Sequence, residues 1–172
     1  DNDIYGTAYT IGYDTASNTA IEAVDRIRDT AESHNRLFFI EVMGRHSGYI
    51  ALRTAIGSGA GNVFLPETPT DFDAMLKELR KSARRSKLFN LIIVAEGNES
   101  GDAMTLASKV KELAPEFDTK VAVIGHLQRG GAPSCFDRLL ASRLGYNAVE
   151  TLLAGKSGVA LGLINDQLAY TS

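Results

Sequence analysis

The chain has 172 residues, with 18 Lys and Arg against 21 Asp and Glu, 44% apolar residues and 23% charged ones, a balance that excludes disordered, fibrous and membrane-spanning classes. A chain of this length buries roughly 70% of the surface it exposes when unfolded, so its core needs neither disulfides nor a structural metal. The net charge of −3 lacks the basic excess of a nucleic-acid binder. No apolar run is long enough for a bilayer and no charged-then-apolar leader opens the chain, so neither nucleic acid nor membrane is an expected partner.

The opening Asp1-Asn2-Asp3 follows no Met and reads as the start of a segment cut from a longer protein. Its two acids could supply a general base and a second carboxylate for a cation or a proton. The spacing of Ala20, Ile21, Val24, Ile27 and Ala31 predicts a helix over 15–34. A strand at 37–43 leads into Gly44-Arg45-His46-Ser47-Gly48, a helix covers 48–58, and a short strand covers 63–65. A helix over 70–86 takes Thr70 as N-cap and puts Phe72, Met75, Leu76 and Leu79 on one face. Its basic end, Arg80, Lys81, Arg84, Arg85 and Lys87, reads as a solvated helix C-terminus, where the helix dipole favours cations.

A strand at 90–95 runs into Glu96-Gly97-Asn98-Glu99, and a helix follows over 102–114. The strand at 121–124 ends on Gly125-His126-Leu127-Gln128-Arg129-Gly130-Gly131. The next helix, 134–153, begins at Ser134 with Asp137 three positions on, a variant of the capping box, and stops at Gly155 before a strand at 159–164. Cys135 is the single cysteine; in its apolar setting it is expected to be a buried, inert thiol, in a reducing cytoplasm.

Strands and helices alternate, and the strands are apolar on both faces. The expected fold is therefore α/β, three-layer, a mainly parallel sheet with helices on both faces. In such sheets ligands bind beyond the carboxyl ends of the strands. Three strand ends here carry Arg45 and His46, Glu96, and His126 with Arg129, all among glycines. Glycine permits close backbone approach and guanidinium forks match phosphate oxygens, so the ligand read from these loops is a phosphorylated small molecule. There is no dinucleotide fingerprint, P-loop or nucleophile elbow, and His34, His46 and His126 have no metal spacing.

Asp1-Asn2-Asp3-Ile4, Thr10-Ile11-Gly12, Met43-Gly44-Arg45, Glu96-Gly97 and Gly125 to Gly131 together resemble the 6-phosphofructokinase family, in its bacterial ATP-dependent group. The resemblance runs in order to about Gln167. It implies a phosphofructokinase-like partial chain: 1–12 as active-site loop of a large domain, 13–128 as the small sugar-phosphate domain, and 129–172 as a helix and strand of the nucleotide-binding domain. The implied activity is transfer of the γ-phosphoryl of ATP, with Mg²⁺, to the 1-hydroxyl of fructose 6-phosphate in a cytoplasmic homo-oligomer, a tetramer, with ATP held mainly by a missing upstream part. No metal ligand within the chain is assigned.

Position by position, the resemblance implies that Asp1 is the base and Asp3 a supporting acid near the metal. Arg45 would neutralise the transferred group, and Met43 and Gly44 would wall the sugar. Glu96 would accept from sugar hydroxyls, His126 and Arg129 would hold the sugar and its 6-phosphate, and Arg36 and Lys120 would reach that phosphate from a neighbouring subunit. Lys120 replaces the usual Arg and loses its bidentate fork. Arg28, Arg85 and Lys87 match the basic residues of an effector pocket, where Gly61 replaces a metal-binding acid. The competing readings are a pyrophosphate-dependent relative and a non-catalytic sugar-phosphate sensor on the same fold.

Overall fold

The computed structural model describes residues 1–30, 36–84 and 91–172. The elements are α1 (Tyr13–Thr30), β1 (Arg36–Val42), α2 (Tyr49–Ser58), β2 (Asn62–Phe64), α3 (Phe72–Arg84), β3 (Leu91–Ala95), α4 (Ala103–Leu113), β4 (Asp118–Val123), α5 (Cys135–Leu153), β5 (Ala160–Ile164) and β6 (Gln167–Thr171), with a 3₁₀ turn at Gly125–Arg129. Strands β1 to β4 form one parallel sheet in the order β2-β3-β1-β4. Alternation along each strand sorts its side chains to two cores. Leu37, Phe39, Ile92 and Val94 pack under α3 and α4, whereas Ile40, Val42, Leu91 and Ile93 pack under α1 and α2. Helices on both faces of a mainly parallel sheet are the expected α/β architecture.

The helix over 15–34 is α1, with Ala20 and Val24 fully buried; Ala31 and His34 lie outside the described residues, as do Arg85, Lys87 and Asn90. Helix α3 starts later than expected. Asp71, not Thr70, caps it, its Oδ1 accepting from Ala74 N at 2.8 Å, because a carboxylate directly before the first turn is the better acceptor. Arg80 is tied to Glu116 at 2.9 Å and to the Leu113 carbonyl, so this end is partly paired rather than merely solvated.

Strand β4 starts at Asp118, three residues before the apolar run that announced it, since an edge strand needs only one buried face. A further strand, β6, escaped the sequence reading. It pairs antiparallel with β5 across Asn165-Asp166, whose φ angles of 49° and 62° make a primed hairpin turn that Asn and Asp tolerate. Cys135 is exposed, contrary to expectation. It occupies the first position of α5, a helix whose buried residues are Asp137, Leu140 and Thr151.

Candidate active site

Because β3, β1 and β4 are neighbours and parallel, their three terminal loops meet along one edge of the sheet. The link after β1 is fastened from both sides. Met43 N donates to Gln128 Oε1 at 2.8 Å, and Gln128 Nε2 donates to the Ala16 carbonyl at 3.4 Å, so one buried amide joins the β1 loop, the 3₁₀ turn and α1. From the other side, Glu96 Oε1 accepts from Gly44 N at 3.1 Å and from Arg45 N at 2.7 Å. Gly97 then passes so close to the Arg45 carbonyl oxygen that a Cβ there would stand 1.7 Å from it. No residue larger than glycine fits that crossing.

Residues 1–12 form the facing loop. Asn2 adopts φ 58°, a left-handed conformation that Asn tolerates better than most side chains. Its Nδ2 donates to the Ala8 carbonyl at 3.2 Å and its Oδ1 accepts from Thr10 N at 2.8 Å, fixing the turn that carries Asp1 and Asp3. Ser47 Oγ donates to the Asp1 carbonyl at 2.8 Å, which joins this loop to the one after β1. Beyond Asn2, Ala8 N donates to the Leu163 carbonyl at 2.7 Å, adding a contact to β5.

The loop ends on Asp137. This carboxylate, 2% exposed, accepts from Gly12 N at 2.9 Å, Thr15 N at 2.8 Å and Thr15 Oγ1 at 2.5 Å. Burial alone would raise its pKa, but the Thr15 hydroxyl and the Gly12 and Thr15 amides outweigh that, and its carboxyl lies below the usual carboxylate range. Half of the expected capping box is present, with Ser134 Oγ accepting from Asp137 N at 3.2 Å. The acid, however, makes its short bonds to the start of α1 across the molecule and meets its own helix only through the Ser134 hydroxyl at 3.5 Å, not through the Ser134 N–H of a capping box. Nearness of the two helix N-termini favours this, since both present unpaired amides and positive dipole ends.

Between these loops lies a cavity of about 650 Å³, lined by Asp1, Asp3, Met43, Arg129 and the starts of α1 and α5. Arg45 lies beside it, next to Asp1. Its Nε is 3.9 Å from Asp1 Oδ2, with the Arg45 side chain 70% exposed and that of Asp1 27% exposed. A carboxylate beside a guanidinium and open to a cavity can accept a proton while the cation offsets charge on a bound anion. His126 and Arg129 follow on the 3₁₀ turn, both exposed. Among the described residues no group of three or more His, Cys, Asp or Glu could hold a metal on its own.

Arg36 and Lys120 are not brought to this place. Arg36 opens β1 and Lys120 is the third residue of β4, and the two share Asp118: Lys120 Nζ lies 2.9 Å and Arg36 Nε 3.6 Å from its carboxylate. The Lys120 hydrogen bond, with Arg36 beside it, holds the Asp118 carboxyl below the usual range. At about 3.3 Å per residue, Arg36 lies about 20 Å and Lys120 about 10 Å from the ends of their strands, where the site loops begin. Of the expected effector residues, Arg28 sits in the last turn of α1 with Asp25 at 3.6 Å, and Gly61 N donates to the Leu91 carbonyl. Arg85 and Lys87 lie outside the described residues.

Gln128, Asn2, Gly97 and Asp137 are the residues whose work at the site the sequence reading missed. A polar amide inside a loop otherwise built for ligand contact, and an Asn between two acids, were the available signals.

A model of the phosphofructokinase family matches residues 1–152. The ATP-dependent 6-phosphofructokinase of Cytophaga hutchinsonii is 50% identical over 171 residues, which make up 99% of this chain and 52% of that protein. The chain thus spans about half the length of the curated relatives it matches. Among solved structures, phosphofructokinase from Saccharomyces cerevisiae superposes with a TM-score of 0.91 at 30% identity, covering 99% of this chain and 24% of that one. The pyrophosphate-dependent phosphofructokinase from Marinobacter aquaeolei has a TM-score of 0.71 at 27% identity, over 94% of this chain and 44% of that one. A family match that takes in the loops of Asp1, Arg45, Glu96 and Arg129 alike, on a sheet of the matching architecture, means that this chain belongs to the phosphofructokinase family.

Proposed function

We propose that the full-length protein is an ATP-dependent 6-phosphofructokinase, moving the γ-phosphoryl of Mg-ATP to the 1-hydroxyl of fructose 6-phosphate in cytoplasmic glycolysis. The observation that carries this reading is the pairing of Asp1 with Arg45 at 3.9 Å beside the cavity that Asp1 and Arg129 line. In the proposed step Asp1 takes the proton of the 1-hydroxyl as its oxygen attacks the γ-phosphorus, and the bond to the leaving ADP breaks. Arg45 offsets charge on the group in transit, and Met43 and the Gly44 backbone hold the sugar in line. Asp3 offers hard oxygen donors that suit Mg²⁺, which binds through one or two carboxylates plus substrate phosphates, and this leaves Asp1 free to act as base. When bound, that ion would neutralise phosphate charge.

Phosphate recognition would need a second copy of the chain. Arg36 and Lys120 lie about 20 Å and about 10 Å back along their strands from the ends that carry the site loops, both engaged with Asp118, so they suit the sugar 6-phosphate of a neighbour, in keeping with a homo-oligomer, a tetramer in our reading. An effector phosphate would fall to Arg28, Arg85 and Lys87, with Gly61 weakening any metal-dependent nucleoside diphosphate there. With about half of each curated relative's length outside this chain, the chain alone is expected to be inactive.

The pyrophosphate-dependent reading keeps a place because a solved enzyme of that kind shares the fold. Assays of the full-length protein with Mg-ATP and with Mg-pyrophosphate separate the two. Replacing Asp1 by Asn should lower kcat by about 10²- to 10⁴-fold with sugar-phosphate binding unchanged. Binding of fructose 6-phosphate without turnover on either donor would identify a sensor and refute the enzyme reading.

A further inference from the structure

Arg45 occupies a backbone conformation that has to be imposed on it. Its φ of 51° lies in the left-handed region, which a residue with a Cβ adopts only when its surroundings demand it. The surroundings here are Glu96 and Gly97. Glu96 Oε1 accepts from the Gly44 and Arg45 amides together, and Gly97 lies against the Arg45 carbonyl. That grip has a firm base: Glu96 N donates to the Val42 carbonyl at 3.0 Å, Asn98 N to the Ala95 carbonyl at 3.0 Å, and Asn98 Nδ2 to the Leu65 carbonyl at 3.1 Å. The Arg45 side chain is 70% exposed and its guanidinium reaches Asp1 only at 3.9 Å, so its placement depends on the backbone beneath it.

We infer that Glu96 is a positioning residue for Arg45, acting through Oε1 as the clasp of the Gly44-Arg45 turn. Its Oε2 has no partner among the described residues and stays available to sugar hydroxyls. One carboxylate thereby couples occupancy by the sugar to the placement of Arg45. This rests on the proposed role of Arg45 in phosphoryl transfer, whereas the clasp is a property of the backbone and can be read without any turnover.

The test uses the full-length protein with Glu96→Ala, Glu96→Gln, Arg45→Ala and the Glu96→Ala/Arg45→Ala double variant. Glu96→Ala should lower kcat on the order of a hundredfold, as a misplaced catalytic group does. The double variant should fall within about twofold of Arg45→Ala alone, because residues acting as one unit are not additive. Glu96→Gln, whose amide oxygen can still accept both N–H groups, should keep most of kcat while raising KM for the sugar phosphate. Multiplying effects in the double variant, or a Glu96→Ala change confined to KM, would overturn the clasp. Amide hydrogen exchange at Gly44 and Arg45 supplies the independent readout: protection in the unsubstituted protein and exchange roughly tenfold faster in Glu96→Ala. Should the unsubstituted protein show no turnover yet give that exchange pattern, the clasp stands and the enzyme reading falls. Unprotected amides in the unsubstituted protein refute the clasp.

Discussion

Replacing Asp137 by Ala removes the acceptor shared by Gly12 N, Thr15 N and Thr15 Oγ1, leaving two amides at the start of α1 unpaired in a site where Asp137 is 2% exposed. Loss of a helix cap costs about 0.5–2 kcal/mol, and hydrogen bonds to a charged group contribute about 1.5–3 kcal/mol. Since these effects overlap, we expect about 3 kcal/mol of lost stability for Asp137→Ala. For Asp137→Asn, which retains one acceptor oxygen, about 2 kcal/mol is expected. In a unit of this size 1 kcal/mol moves Tm by about 2–4 °C, so the Ala variant should melt about 6–12 °C lower.

Chemical or thermal unfolding of the full-length protein, followed by circular dichroism, measures this. A drop below about 2 °C for Asp137→Ala would show that these bonds do not hold α1 and refute the reasoning. The pH dependence is a second check. The folded-state pKa of Asp137 is lowered from 3.8, so its contribution is complete above that value and is lost as pH falls through the lower folded one. The stability gap between the unsubstituted protein and Asp137→Asn should hold steady from pH 7 to about 5 and close at pH values below about 4.

Two further changes probe the site loops. Gly97→Ala would put a Cβ 1.7 Å from the Arg45 carbonyl oxygen, so kcat of the full-length protein should drop on the order of a hundredfold; near-normal steady-state kinetics would mean the two loops do not cross as described. Lys120→Arg restores a fork that can grip two phosphate oxygens, so it should tighten sugar-phosphate binding in an equilibrium titration, and an unchanged affinity would refute the cross-subunit role.

Much of the fold was legible because the core is written in the chain with two clear periods. Strands such as 37–42 and 91–95 are apolar on both faces, and α1 and α3 carry one-sided stripes. The hairpin partner β6 was harder to see, since Tyr170 and its neighbours lie on a half-exposed ribbon with weak patterning, and only Asn165-Asp166 marked the turn. Cys135 misled because its apolar neighbours, Phe136 and Leu139, are themselves exposed, so local hydrophobicity did not report burial.

At the site, the linear chain determined which chemical groups would end each strand: Arg45 after β1, Glu96 after β3, and His126 with Arg129 after β4. Right-handed crossovers in a parallel sheet then oblige such ends to share one edge. What remained for tertiary structure was the partner each group takes. Glu96 holds the Gly44-Arg45 amides, Asp137 caps a helix that begins more than a hundred residues earlier in the chain, and Arg36 and Lys120 pair with Asp118 away from the site loops. Those pairings depend on distances between segments remote in sequence, and residue spacing along a strand or helix carries no such information.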